Sequence, residues 1–184
     1  FFVKQKTAYE IKEGDWSSDV CSSDLRAELK APPAAMSAKW YAVQVEDLAF
    51  QVEMPGIPDN RRIDDRSAKG TPFVLFSYSL EVGATAYVVQ TAVYPADVDA
   101  RQPRPLLQAA LDTRAQSLAG RKWKSVNWRE LQGAPTAETV GVLPNGTALR
   151  QLLTMRGSRF VSLAFLGPES SPDAARFFNS LKFR

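Results

Sequence analysis

Two runs with a repeat of two residues, residues 73–82 and 85–94, lie at the centre of the chain on either side of Gly83 and Ala84. In each run every second side chain is large, which is the period of a half-buried β-strand. A two-residue loop between them brings the large side chains onto one face of the sheet, because directly opposed residues share a face. The pattern therefore predicts a β-hairpin with the pairs Leu80–Tyr87, Tyr78–Val89, Phe76–Thr91 and Val74–Val93.

Further strands are predicted on both sides of this hairpin. Residues 40–45 and 50–54 form two short strands, the second of which ends at a proline that cannot donate to a ladder. Residues 122–131, 136–143, 147–155 and 160–165 follow later in the chain, and the Asn145-Gly146 dipeptide is a strong hairpin signal between two of them. The polar residues 59–70 are predicted to form an exposed loop, and residues 95–105 an irregular crossing.

Two helices complete the prediction. The first covers residues 105–119, with a proline in its first turn and Gly120 just past its end, and its apolar stripe is Leu107, Ala110, Leu111 and Leu118. The second follows Ser171 as N-cap and Pro172, with the stripe Ala174, Phe177, Phe178 and Leu181. Adjacent hairpins with a helix after each group of strands predict an α+β fold, with a mostly antiparallel sheet of about seven or eight strands flanked by two helices.

The first 25 residues are set apart from this pattern. Residues 4–11 and 15–25 resemble, residue for residue, the conceptual translation of a short-read sequencing adapter, and residues 12–14 correspond to its index. We therefore expect residues 1–25 to be a disordered artefact, residues 26–38 a linker or tail, and residues 39–184 a single domain. The sequence leaves open where the natural chain starts and where the protein is located in the cell. The protein is expected to be cytoplasmic if Met36 is the start, and secreted or periplasmic if an N-terminal signal has been lost.

Composition excludes several kinds of chemistry. The chain has no histidine, and its one cysteine, Cys21, lies in the adapter-like segment, so neither a Ser-His-Asp triad nor a disulfide framework is available. No phosphate-binding glycine loop and no nucleophile elbow occur. We expect no catalytic activity, no metal ion and no cofactor. Without residues 1–25, which hold three of the 23 Lys and Arg and five of the 20 Asp and Glu, the net charge is +5.

The candidate binding residues are cationic or aromatic. Arginines and lysines cluster in three places, and one cluster contains a tryptophan on which a ligand could stack. Alternation along the predicted strand places Trp123 on the face opposite Trp128, with Lys122 and Lys124 on the face of Trp128. The predicted binding residues are Arg61, Arg62, Arg66, Arg101, Arg104, Lys122, Lys124 and Trp128.

Several motifs are similar to those of the PsbP-like superfamily, which includes the bacterial DcrB-like domains and the nuclear-transport factor Mog. They are Phe50-x-x-x-Met-Pro-Gly-x-Pro58, the predicted strand at residues 87–95, which precedes a leucine-rich helix, and Ala174-x-x-Phe-Phe-x-Ser-Leu-x-Phe183. The resemblance covers nearly all of residues 36–184. It implies an α/β/α sandwich and a non-enzymatic accessory role, and it carries no functional residue over to this chain.

Two functions from different classes are compatible with these observations. The first is a non-catalytic accessory or interaction domain that binds a protein partner or an anionic ligand through a loop or a sheet face; binding of nucleic acid is not favoured. The alternative is a hydrolase or small-ligand-binding protein that uses loop carboxylates with arginines. Asp64 with Asp65, and Asp97 with Asp99, are the paired carboxylates that it would use.

Overall fold

The structure is a computed structural model that describes residues 39–43 and 49–184. Its elements in that part of the chain are β1 (Tyr41–Ala42), β2 (Phe50–Gln51), β3 (Glu53–Met54), β4 (Asp59–Arg66), β5 (Pro72–Val82), β6 (Thr85–Val93), α1 (Pro103–Ala115), β7 (Ser125–Leu131), β8 (Ala134–Val142), β9 (Ala148–Arg156), β10 (Arg159–Gly167), α2 (Pro172–Asn179) and β11 (Lys182–Phe183). The predicted segments 1–25 and 26–38 lie outside the described residues. The predicted turn at residues 46–49 does so as well, except for Ala49.

Seven strands form one antiparallel sheet in the order β4-β5-β6-β10-β9-β8-β7. Two small ribbons, β1 with β3 and β2 with β11, lie beside it. The predicted fold class is confirmed, because a mostly antiparallel sheet carries the two α-helices that the described residues form.

The central hairpin has the predicted register. Leu80 pairs with Tyr87, Tyr78 with Val89 and Phe76 with Thr91, while the β5–β6 ladder ends one position before Val74 and Val93. The loop begins at Gly83, whose φ of 59° is the left-handed conformation that a tight hairpin turn requires. The alternation of large side chains was therefore sufficient to fix this pairing.

Each helix covers one side of the sheet. On the α2 face, Tyr87, Val89, Leu163 and Phe165 pack with the buried side of α2. On the opposite α1 face, the residues that pack with Leu107 and Leu111 of α1 are Tyr94, Ala137, Leu153, Met155 and Phe160. The two cores lie on opposite faces because successive residues of a strand point to opposite sides. Within the described residues, neither helix is long and apolar enough to cross a bilayer.

Three predicted segments differ from the elements that the structure shows. Residues 59–66 are the strand β4 rather than a loop, because an edge strand with both faces in solvent has no apolar alternation to reveal it. The segment predicted as one strand at residues 50–54 is two short strands that pair with different partners. Helix α1 spans Pro103–Ala115, and Leu118 is buried beyond its end.

Candidate binding sites

The predicted binding residues do not form one surface. Arg61, Arg62 and Arg66 lie on β4, whereas Trp128 lies on β7, and these strands are the two edges of the sheet. Six inter-strand spacings of about 4.8 Å separate the edges, or roughly 29 Å. A single small ligand cannot contact both groups, so each edge is a separate candidate.

The β4 edge carries balanced charge. Its six charged residues are three arginines and three aspartates. Arg62 pairs with Asp64 at 3.2 Å, and Arg66 donates to the carbonyl oxygen of Gly70 at 2.9 Å. Both side chains of the ion pair are mostly in solvent, where such pairs contribute little. Mixed charge on an exposed edge is a common way of preventing strand addition, so β4 is a poor site for an anionic partner.

The paired carboxylates of the alternative function are engaged in the local structure. Asp97 accepts a short hydrogen bond from Ser67, and Asp99 pairs with Arg101 at 3.0 Å. The hydrogen bond from Ser67 lowers the pKa of Asp97, and the one from Arg101 lowers the pKa of Asp99. Both carboxylates are therefore held in the ionised form. In the described ranges, no group of three or more acidic, cysteine or histidine side chains could hold a metal ion.

The β7 edge brings together two predicted residues that are far apart in sequence. The guanidinium of Arg104, in the first turn of α1, lies 4.7 Å from the centre of the Trp128 ring. Trp128 is half-buried and packs on the α1 face. A cation held over an indole in this way is a cation–π contact, which fixes the position of both side chains.

The predicted sidedness of the two tryptophans is wrong. Trp123 and Trp128 both pack against the core of the α1 face, and the Trp123 indole donates to the carbonyl oxygen of Leu111 at 3.0 Å. Trp123 precedes β7, so strand alternation does not apply to it. Gly141 of β8 provides the space, since a Cβ there would lie 3.1 Å from the Trp123 ring and 2.7 Å from Leu118.

The cations that lead into β7 differ in their partners. Lys124 pairs with Glu169 at 2.8 Å, whereas Arg121 and Lys122 are exposed and no ion pair to either is present among the described residues. Arg121 has a φ of 52°, an uncommon value for a residue with a side chain. Among the described residues, the β7 edge therefore has three cations without an ion pair, Arg104, Arg121 and Lys122, against one such carboxylate, Glu130, whereas the charges of β4 balance.

A third site was not predicted from the sequence. A cleft of about 310 Å³ opens on the α2 face, over the first half of β5, the end of β6 and the start of β10. Its walls include Val74, Phe76, Val93 and Arg159. The strand pattern did indicate apolar side chains here, but whether a helix covers them depends on the length and position of α2, which only the tertiary structure shows.

Comparison with known proteins gives a structural likeness and no sequence match. No family model matches it, and neither does any curated protein sequence. Among solved structures, it is similar to the solution structure of the cyanobacterial PsbP protein (CyanoP) from Synechocystis sp. PCC 6803. The two share 10% identity with a TM-score of 0.49, over 85% of this chain and 99% of that one.

Proposed function

We propose that this chain is a non-catalytic binding domain that takes an acidic segment of a partner protein along the β7 edge. The observation that carries the proposal is that one edge of the sheet combines an edge strand, β7, with cations that have no ion pair. In the described part of the chain, β7 pairs only with β8, so its outer N–H and C=O groups face away from the sheet. An extended peptide can add to such an edge through main-chain hydrogen bonds.

The positive charge near β7 favours an acidic peptide segment as the ligand. Arg104 lies over Trp128 of β7, and Arg121 and Lys122 come shortly before the strand; none of the three has an acidic partner in the described ranges, whereas Arg129 is offset by Glu138 at 2.8 Å. Clustered cations raise the local concentration of an acidic partner and accelerate association. The Arg104–Trp128 contact supplies a fixed, partly apolar platform beside the strand, and arginine and tryptophan are enriched at binding hot spots.

Fluorescence anisotropy with a labelled alternating Val-Glu octapeptide tests this proposal. We expect saturable binding that weakens at least tenfold from 50 to 500 mM NaCl, since the Debye length shortens with added salt. The double variant Arg104→Glu/Lys122→Glu should reduce the affinity about tenfold or more. The matched control Arg61→Glu/Lys69→Glu makes the same charge change at the β4 end of the molecule and should retain most of the affinity.

Three results would contradict the proposal. Equal losses in the two double variants would show attraction to net charge alone. An equally tight complex with a Val-Lys octapeptide would remove the role of acidic side chains. Tighter binding of single-stranded DNA than of the acidic peptide, abolished by the Arg104→Glu/Lys122→Glu change, would assign the edge to nucleic acid instead.

A further inference from the structure

The cleft on the α2 face lies where helix α2 leaves the sheet uncovered. Along β6, Tyr87 and Val89 are buried beneath α2, while Val93, on the same face near the strand end, is 46% exposed. Phe76 and Val74 on β5 are half-buried beside it. The result is an apolar floor open to solvent. Its volume of about 310 Å³ is at the lower end of the range for small-molecule sites.

One cation belongs to the lining of this floor. Arg159 begins β10 directly opposite Val93, and its guanidinium donates to the hydroxyl of Thr91 at 3.4 Å. That hydroxyl in turn donates to the buried carbonyl oxygen of Phe160 at 2.9 Å. The chain of hydrogen bonds holds the Arg159 head group beside the apolar floor, within the lining of the cleft.

A second cation lies one strand away. Arg62 of β4 is opposite Phe76, and directly opposed residues share a face, so it is on the same side of the sheet as the cleft. Its ion pair with Asp64 is exposed on both sides and can be exchanged at little cost. An apolar floor with positive charge at its margin is complementary to a molecule that is apolar at one end and anionic at the other.

We propose that this cleft binds a small amphipathic anion, with the apolar body on Phe76 and Val93 and the carboxylate on Arg159. The guanidinium suits a carboxylate because its N–H groups form a planar fork that can donate two parallel hydrogen bonds. Burial of the apolar body supplies the affinity, and the charge supplies the orientation and the discrimination against neutral analogues. This site is independent of the β7 edge.

Octanoate and octan-1-ol are the probes, because they share an alkyl chain and differ in charge. Titration of ¹⁵N-labelled protein, followed by two-dimensional NMR, should give saturable shifts clustered on β5, β6 and the start of β10. We expect Arg159→Gln to weaken octanoate binding about tenfold or more, because the variant loses a hydrogen bond to a charged group. The affinity for octan-1-ol should not change. Arg159→Lys keeps the charge without the fork and should retain an intermediate affinity.

A blocking variant tests the position of the site. Val93→Trp fills the cleft from an exposed position and should abolish binding of both probes. Val82→Trp is the matched control, because Val82 is 43% exposed on the same hairpin and its partner Thr85 lies about 27 Å along β6 from Val93. The proposal is overturned if octanoate does not saturate, if Val93→Trp binds as the parent does, or if Arg159→Gln leaves octanoate affinity unchanged.

Discussion

Ser67 and Asp97 form a contact between two segments that the sequence pattern left unconnected. Ser67 is buried at the turn between β4 and β5, and its hydroxyl donates to the Asp97 carboxylate in the segment before α1. The same hydroxyl accepts from the backbone N–H groups of Lys69 and Thr71, at 3.2 and 3.1 Å. One serine thereby closes a turn and fixes the crossing segment to it.

The pH dependence of stability should reveal this contact. Because the hydrogen bond from Ser67 lowers the pKa of Asp97 below its ordinary value, the ionised form of Asp97 stabilises the folded chain at neutral pH. That stabilisation is present above the unfolded pKa of about 3.9 and is lost as the pH falls through the lower folded value. We expect Asp97→Asn to be less stable than the parent at pH 7 in urea unfolding, with a difference that narrows below about pH 4.

Ser67→Ala provides the control for this prediction. Since the two side chains act on one another, the loss in the double variant should be smaller than the sum of the two single losses. A difference between Asp97→Asn and the parent that stays constant from pH 7 to pH 2.5 would show that the carboxylate does not stabilise the fold through its charge.

At the scale of elements, α2 is the helix that closes the core on its face of the sheet. Phe177 is fully buried, and its ring makes edge contacts with Tyr87 at 5.4 Å between ring centres. Pro172 occupies the first turn as predicted, but the Ser171 side chain makes no capping hydrogen bond, so packing rather than capping holds the helix. The apolar stripe read from the sequence is therefore the buried face.

Phe177→Ala should cost about 3–5 kcal/mol of unfolding free energy, because it removes a large ring and leaves a cavity. The control is Ala175→Gly on the exposed side of α2, which should cost only about 1 kcal/mol through helix propensity. Urea melts measure both. A loss below about 1 kcal/mol for Phe177→Ala would mean that α2 does not close this core.

Strand β4 is an element that the side-chain pattern of the sequence does not reveal. Asp59–Arg66 has the charge content of a loop, and its side chains are almost all exposed. Backbone pairing with β5 makes it a strand, over eight positions from Asp59–Ser79 to Arg66–Pro72. Backbone hydrogen bonds are available to every non-proline residue, so the side-chain pattern carries no information about such a strand.

For the whole molecule, the adapter-like segment gives a direct prediction. We expect a chain that begins at residue 26 to have the same melting temperature as the full chain within error. The reason is that residues 1–25 show neither the period of a strand nor that of an amphipathic helix. Thermal unfolding followed by circular dichroism measures this, and a drop of several degrees would assign the segment to the fold.

A longer deletion serves as the control. Removal of residues 1–54 takes away Phe50, Val52 and Met54, which are almost completely buried with the core of the α2 face. That variant should lose cooperative unfolding. If it melts as the full chain does, the two small ribbons beside the sheet are not part of the stable fold.

The sequence alone determined the features that depend on neighbouring residues. Alternation fixed the register of the β5–β6 hairpin, and the helical spacing of Ala174, Phe177 and Phe178 identified the buried side of α2. Asn145-Gly146 marked a turn in which Gly146 has a φ of 84°. These succeed because a strand or helix repeats its own period, and a tight turn requires particular residues at particular positions.

Only the tertiary structure decided the features that depend on distant residues. It separated Arg61 from Trp128 by the width of the sheet, placed Arg104 over Trp128, and left Phe76 and Val93 outside the cover of α2. Strand order and helix coverage are set by contacts between segments far apart along the chain. The local pattern specifies which face a side chain occupies but not what packs against that face, and both binding proposals depend on the latter.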